Sequence, residues 1–355
     1  MEKSPLFEES VSLLSQLITT QSFSREEHIT ADIIQAFLEQ HGAQTHRLMN
    51  NVWAFSDNYD QNKPTILLNS HHDTVKPNKD WTRNPFEPTI ENGILYGLGS
   101  NDAGASLVSL AACFLALRQK ELPCNIVYAA TAEEEIAGKN GVEITVPALG
   151  NIECAIVGEP TTLQMAIAER GLMVLDATVY GKSGHAARTT GINAIEKAIP
   201  VLDWFRTFSF PKISPTLGPV KMTVTQIQAG TQHNVIPDRC TFVVDIRLND
   251  CYTHEEIFSI IQEHCGCEIQ ARSMRLKPSS IANTHPLVQA AVRLGIPTFA
   301  SPTMSDQALL SVPSIKIGPG MSERSHTADE FVTLDEINNG IKTYISLIHT
   351  VAELL

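Results

Sequence analysis

Residues 65–73 carry the pattern that decides the fold: the apolar run Thr65-Ile66-Leu67-Leu68 passes directly into Asn69-Ser70-His71-His72-Asp73. A short apolar run with polar residues immediately behind it reads as a buried strand that ends in a site. The pattern recurs three times. Ile126 to Ala130 runs into Thr131-Ala132-Glu133-Glu134-Glu135, Ala155 to Val157 into Gly158-Glu159-Pro160, and Ile315 to Ile317 into a loop that ends at His326. Four strands thus each end in potential metal ligands, at the carboxyl ends where an α/β sheet places its site. Long helical stretches separate them, notably 103–118. Upstream, Phe7, Val11, Leu14 and Ile18, then Ile29, Ile33 and Phe37, fall at helical spacing within residues 6–18 and 26–41, with Gly42 placed to end the second helix.

From about Gly171 to Leu276 the periodicity changes to strand 172–180, helix 191–206, strands 220–228 and 240–248, helix 253–264 and strand 267–276. The order β-α-β-β-α-β predicts a ferredoxin-like domain, residues 170–276, inserted into an α/β catalytic domain made of residues 1–169 and 277–355. Thr253 with Glu256, and Thr333 with Glu336, are capping-box pairs for the helix at 253–264 and for a closing helix from about Leu334 to Leu355. Ile337, Ile341, Tyr344, Ile348 and Val351 form the apolar face of that last helix.

Composition narrows the function. The 355 residues are 43% hydrophobic and 18% charged, which excludes a disordered chain. With 39 acidic against 26 basic residues the formal net charge is −13, which argues against nucleic acid or an anionic membrane and for a small substrate. Met1-Glu2-Lys3-Ser4 lacks the basic and apolar regions of a signal peptide, and the uncharged Ala103 to Leu117 stretch is too short to span a bilayer, so a cytoplasmic location is expected. The seven cysteines, with only Cys265 and Cys267 close together, read as reduced thiols.

On a strand, alternate side chains share a face, so His71 and Asp73 point together and Asp73 can hold His71 in its metal-binding tautomer. His72 points away and reads as structural. Asp102, behind Gly97-Leu98-Gly99-Ser100-Asn101, reads either as a helix N-cap or as a ligand. Glu133-Glu134-Glu135 repel one another unless a cation neutralises them. His71, Asp102, Glu135, Glu159 and His326 together supply an N/O set for two borderline cations, with Asp102 able to bridge them. Two-metal hydrolytic sites are built this way.

Seven stretches in order then resemble one family. They are Ser70-His71-His72-Asp73, Gly97 to Asp102, Thr131 to Glu135, Gly158-Glu159-Pro160, Gly181-Lys182-Ser183-Gly184-His185-Ala186, Asn234-Val235-Ile236-Pro237, and Gly318-Pro319-Gly320 leading to Ser325-His326. Nearly the whole chain is similar to the dinuclear-zinc aminoacylases and carboxypeptidases, the group that includes acetylornithine deacetylase and succinyl-diaminopimelate desuccinylase. The resemblance implies a zinc-peptidase-like α/β domain with an inserted dimerisation lid, and a homodimer. It implies that His71, Asp102, Glu135, Glu159 and His326 bind two Zn²⁺ per subunit, with Co²⁺ able to substitute, that Glu134 is the general base, and that Asp73 supports His71. His185, reaching into the partner subunit's site, and Asn234 would steady the oxyanion, and Arg247 would bind a substrate carboxylate unless it merely pairs with Asp245. The base lets hydroxide from an acidified water attack the amide carbonyl of a small N-acyl amino acid. Trp81 to Phe86, Leu95 to Gly99 and His326 to Glu330 look most like acetylornithine deacetylase, an enzyme of arginine biosynthesis. The alternatives are a desuccinylase acting on succinyl-diaminopimelate or on a succinyl-ornithine or citrulline substrate, a dipeptidase, or a non-catalytic protein that binds metal or amino acids. The chain departs from the family pattern at Glu133, where Asp is common, at Ala103-Gly104-Ala105, where Met-Lys-Gly is common, and at His72, where Thr is frequent.

Overall fold

In the computed structural model the four apolar runs of the sequence lie side by side as the parallel centre of one mixed sheet. Thr65–His71 pairs in parallel with Asn125–Thr131 on one side and Cys154–Val157 on the other, and Ser314–Lys316 continues in parallel beside Cys154–Val157. Their carboxyl ends therefore share one edge of the sheet: His71 is opposite Thr131, Asn69 opposite Val157, and Val157 opposite Lys316. Asn51–Phe55 and Thr45–Leu48 extend the sheet antiparallel. All residues except 1, 2, 5 and 189 are described.

Central parallel strands are buried on both faces, which is why these runs are apolar throughout and do not alternate. One face packs on the helix Ala105–Leu117, and Leu110 and Phe114 from it meet Ile341, Tyr344 and Ile348 of the closing helix Leu334–Ala352 in the main core. The Ser100–Leu117 window is long and apolar enough to cross a membrane, and 83% of it is buried inside the protein, as befits a core helix. The other face carries Leu67, Val127 and Ala155 against Trp53, Leu149 and Ile152. Phe7–Ile18 and His28–Gln40 form the two N-terminal helices, and the second ends at His41 before Gly42, whose φ of +77° suits glycine.

The chain divides into two compact units. The first comprises Met1–Ile167, Ser280–Phe299 and Ser305–Leu355, the second Ala168–Ser279 and Ala300–Met304. In the second, four antiparallel strands stand in the order Lys221–Ala229, Arg239–Leu248, Gly171–Tyr180, Glu268–Ala271, with helices Ala194–Thr207 and His254–His264. Phe242, Val244, Ile246 and Leu248 are buried on one face of their strand while Asp245 and Arg247 occupy the other. Both capping boxes, Thr253 with Glu256 and Thr333 with Glu336, are formed. The expected strand at 267–276 is shorter. After Ala271 the chain donates Arg272 N–H to Val174 O, turns where Ser273 Oγ accepts the Arg275 amide, and meets the neighbouring strand again where Leu276 O accepts the Leu172 amide.

Candidate metal centre

His71 is the last residue of its strand and is buried. Its Nδ1 lies 3.0 Å from the Asp73 backbone oxygen and 3.4 Å from Asp73 Oδ1, contacts that place the proton on Nδ1 and leave the Nε2 lone pair facing outward. Nε2 is buried and, among the described residues, has no hydrogen-bond partner; it lies 3.4 Å from Asp102 Oδ1 and 3.6 Å from Glu159 Oε1. On the other side, His326 Nε2 is 2.9 Å from Glu135 Oε2 and 3.5 Å from Asp102 Oδ2. The two oxygens of Asp102 thus face two different histidine–carboxylate pairs. Glu134 adds a fourth carboxylate, one of its oxygens within 4.8 Å of the ligand atoms of His71 and Glu159.

The electrostatics describe a site short of positive charge. Burial, with repulsion from Glu159, Asp306 and Glu135, pushes Glu134 well above the usual carboxylate range, against an opposing pull from His71. Burial likewise pushes Glu159 up to about 8 and raises Glu135. The hydrogen bond to Glu135 raises His326 to about 9. Burial works to lower His71, but Asp102, Asp73 and Glu159 outweigh it and raise its pKa. A cation among these carboxylates would remove the repulsion that protons otherwise relieve. The donor set, two imidazoles and carboxylate oxygens around an orphaned nitrogen, fits zinc.

Backbone contacts explain how each side chain is aimed. Asp102 is not a helix cap: Gly104 holds the cap position of the helix Ala105–Leu117, and that helix starts without a side-chain cap. Its turn is held by Glu330, whose buried carboxylate accepts the amides of Gly99 at 3.0 Å, Asn101 at 2.8 Å and Asp102 at 2.9 Å. Glu330 directly precedes Phe331–Thr333, which pairs with Ile94–Tyr96 and so brings the two segments together. On the opposite side Asp73 does more than face His71. Its Oδ1 accepts the Glu134 amide at 3.0 Å, and its Oδ2 the Glu135 amide at 3.1 Å and the Ser24 hydroxyl at 2.7 Å. Glu133 turns away from the site, its carboxylate accepting the Asn140 backbone and side-chain N–H groups.

His72 lies outside the cluster. Its Nε2 donates to the Asn50 carbonyl at 2.9 Å, its Nδ1 is 2.9 Å from Thr30 Oγ1, and burial lowers its pKa to about 4. In the second unit His185 stands opposite Val235 in a two-residue strand pair, and the Ala186 amide donates to the Asn234 carbonyl, so His185 and Asn234 are neighbours. Arg247 forms a two-point pair with Asp245, 2.8 Å from Nε and 3.0 Å from Nη2. Glu330, Glu27 and Asn51 are buried polar residues around the site that sequence reasoning missed. Glu330 alone left a signal, an acid set between the His326 loop and a short apolar strand.

The profile of peptidase family M20/M25/M40 matches residues 67–350. The chain belongs to this family. As an M20 member it is a metal-dependent amidohydrolase, and zinc is consistent with its two groups of candidate donors. It is 27% identical over 368 residues to succinyl-diaminopimelate desuccinylase 2 of a Ruegeria species, covering 92% of this chain and 91% of that one. It is 28% identical over 296 residues to a [LysW]-lysine/[LysW]-ornithine hydrolase of Saccharolobus islandicus, covering 79% of each. The fold is shared with aminopeptidase PepT of Bacillus cereus, at a TM-score of 0.78 and 17% identity over 98% of this chain and 99% of that one. It is also shared with the dinuclear metal-binding M20 peptidase YxeP of Bacillus subtilis, at a TM-score of 0.72 and 17% identity over 99% and 98%.

Proposed function

We propose that this M20 hydrolase removes the N-acyl group from a small amino acid, with N-acetylornithine as the first substrate to test and arginine biosynthesis as its setting. One observation carries the reading: Asp102 divides its two oxygens between His71 with Glu159 and His326 with Glu135, with Glu134 alongside. His71, Asp102 and Glu159 would hold one zinc ion, and Asp102, Glu135 and His326 the second, and cobalt would accept the same donors. When bound, the ions supply Lewis-acid polarisation of the amide carbonyl and acidify water. Glu134 takes the proton of the attacking water and passes it to the departing amino group. Asp73 keeps His71 and the Glu134 backbone in place. His185 and Asn234 donate to the oxyanion, and Arg247, whose Nε and Nη2 are paired with Asp245 here, exchanges that carboxylate for the substrate's as a two-point fork.

The protein acts as a cytoplasmic homodimer in which His185 completes the partner's site. This is supported by the exposed Ile192, Ile195 and Ile199 and by the exposed Ile227 on the edge strand Lys221–Ala229, apolar surface that a monomer leaves in water. A second reading, removal of a succinyl group, is favoured by the similarity to a succinyl-diaminopimelate desuccinylase.

The test combines metal analysis with a substrate panel. Glu134→Gln should retain both metals while kcat falls by roughly 10²–10⁴-fold, whereas Glu135→Gln should lose metal. Loss of metal from the Glu134 variant refutes the base assignment. Turnover of N-acetylornithine, N-succinyl amino acids and dipeptides on the zinc-loaded enzyme decides the acyl group.

A further inference from the structure

Four consecutive backbone amides at the head of the acidic loop are each held by a side-chain oxygen. Ala132 N–H donates to Asn51 Oδ1 at 3.0 Å, Glu133 N–H to Glu27 Oε1 at 3.2 Å, and the amides of Glu134 and Glu135 to the two oxygens of Asp73. Asp73 sits next to the metal cluster. Glu27 stands at the cap position just before the helix His28–Gln40 and, among the described residues, makes no hydrogen bond to a metal-site side chain. We infer that Glu27 is a positioning residue for Glu134: it fixes the Glu133 peptide, and with it the turn that delivers Glu134 to the reacting water. The inference rests on the proposed role of Glu134 as base.

Glu27 is fully buried, and among the described residues its carboxylate accepts from N–H groups only. Oε1 accepts the Arg25 amide at 2.6 Å as well as that of Glu133, and Oε2 accepts Asn50 Nδ2 at 2.7 Å. Asn50 is itself anchored, because its carbonyl receives His72 Nε2. The network therefore runs from the residue beside His71, through Asn50 and Glu27, to the residue beside Glu134. A buried carboxylate without a cation is costly, so a protein that keeps one has a use for the place it holds.

That use lies in the backbone of Glu133, which adopts φ 57° and ψ 20°, a left-handed conformation that a side chain bearing a Cβ pays for. The turn reverses the path of the strand Asn125–Thr131 so that Glu133 points to Asn140 while Glu134 points to the cluster. Without Glu27 the Ala132–Glu133 peptide has a buried N–H with no acceptor and is free to rotate out of the strained region. Asp73 still holds the next two amides, so the metal ligand Glu135 stays while the aim of Glu134 loosens. Misplacing a reacting group by about 1 Å costs on the order of 10²-fold in rate.

The experiment compares Glu27→Ala, Glu27→Asp and Glu27→Gln in the zinc-loaded enzyme. Glu27→Ala should lower kcat by about 10–100-fold, with KM within about twofold and both metals retained. Glu27→Asp, one methylene short of Glu133, should behave like Glu27→Ala, and it serves as the test where the alanine variant does not fold. Glu27→Gln, whose carbonyl still accepts the Glu133 amide once Asn50 flips to face its NH₂, should recover kcat to within about threefold of the parent. Amide hydrogen exchange over residues 131–136 should quicken in the alanine and aspartate variants and not in the glutamine variant. Unchanged kcat and exchange in Glu27→Asp, or equal loss in the aspartate and glutamine variants, overturns the inference. If the parent hydrolyses no N-acyl amino acid, the proposed function fails by itself, and the exchange rates and metal content still decide the role of Glu27.

Discussion

Replacing Asp73 by asparagine keeps its shape and removes one acceptor oxygen, which makes it the sharpest test of how the centre is held. The carboxylate is fully buried and accepts three donors, the amides of Glu134 and Glu135 and the Ser24 hydroxyl, while facing His71 Nδ1. Burial opposes the charge, yet His71 and Ser24 outweigh it and hold Asp73 below the usual carboxylate range, so the ionised form is net favourable at neutral pH. An asparagine side chain turns its NH₂ toward one of the two backbone amides whichever way it is set. One buried N–H then loses its acceptor, at a cost of about 1–3 kcal/mol. For a unit of this size each kcal/mol is worth roughly 2–4 °C in Tm, so calorimetry of the metal-free protein should show a fall of about 2–12 °C. Metal affinity should fall independently by about 10–100-fold, because His71 loses the partner that sets its tautomer, and chelator competition measures this. Ser24→Ala is the control: it removes one hydrogen bond, worth about 0.5–1.5 kcal/mol, and should leave metal affinity unchanged. Asp73→Asn protein that melts with the parent and binds zinc within threefold of it would refute this account.

Other outcomes follow from particular contacts. Glu330→Ala strands the amides of Gly99, Asn101 and Asp102 and should weaken metal binding while Glu134→Gln does not, as a zinc titration of both variants would show. His285 caps the helix Pro286–Leu294 through Nδ1, which accepts the Leu287 amide at 3.2 Å, and burial lowers its pKa. Its contribution is therefore present above the ordinary histidine pKa and lost as pH falls through the depressed value. His285→Asn, which caps at every pH, should remove about 0.5–2 kcal/mol of acid sensitivity in denaturation curves. Neither His185→Ala nor Glu134→Gln homodimers should turn over substrate well, but mixed dimers of the two should regain activity approaching half the parent value per dimer. Verified mixed dimers without activity would exclude donation between subunits.

Periodicity and punctuation along the chain determined the four apolar strands, the helix between Asp102 and Arg118 and the inserted β-α-β-β-α-β unit, and they marked His71, Asp102, Glu135, Glu159 and His326 as a candidate donor set, while Glu134 was singled out as base by the family resemblance. These are legible because burial imposes a repeat on neighbouring residues, and because charged clusters behind apolar runs stand out locally. Which atoms face which was decided only in three dimensions. The split of the Asp102 oxygens depends on Glu330, 228 positions further along, and the aim of Glu134 on Asp73 and Glu27, 61 and 106 positions from the amides they hold. Asp102, taken alone, read first as a helix cap, and the folded chain instead puts Gly104 at the cap position of Ala105–Leu117. Glu133, the same residue type as its two neighbours, turns out to close its own loop through Asn140. A buried carboxylate that accepts backbone amides leaves no periodic trace in the sequence, because its partners are N–H groups that every residue except proline carries. Only the folded chain determines which of those amides it meets.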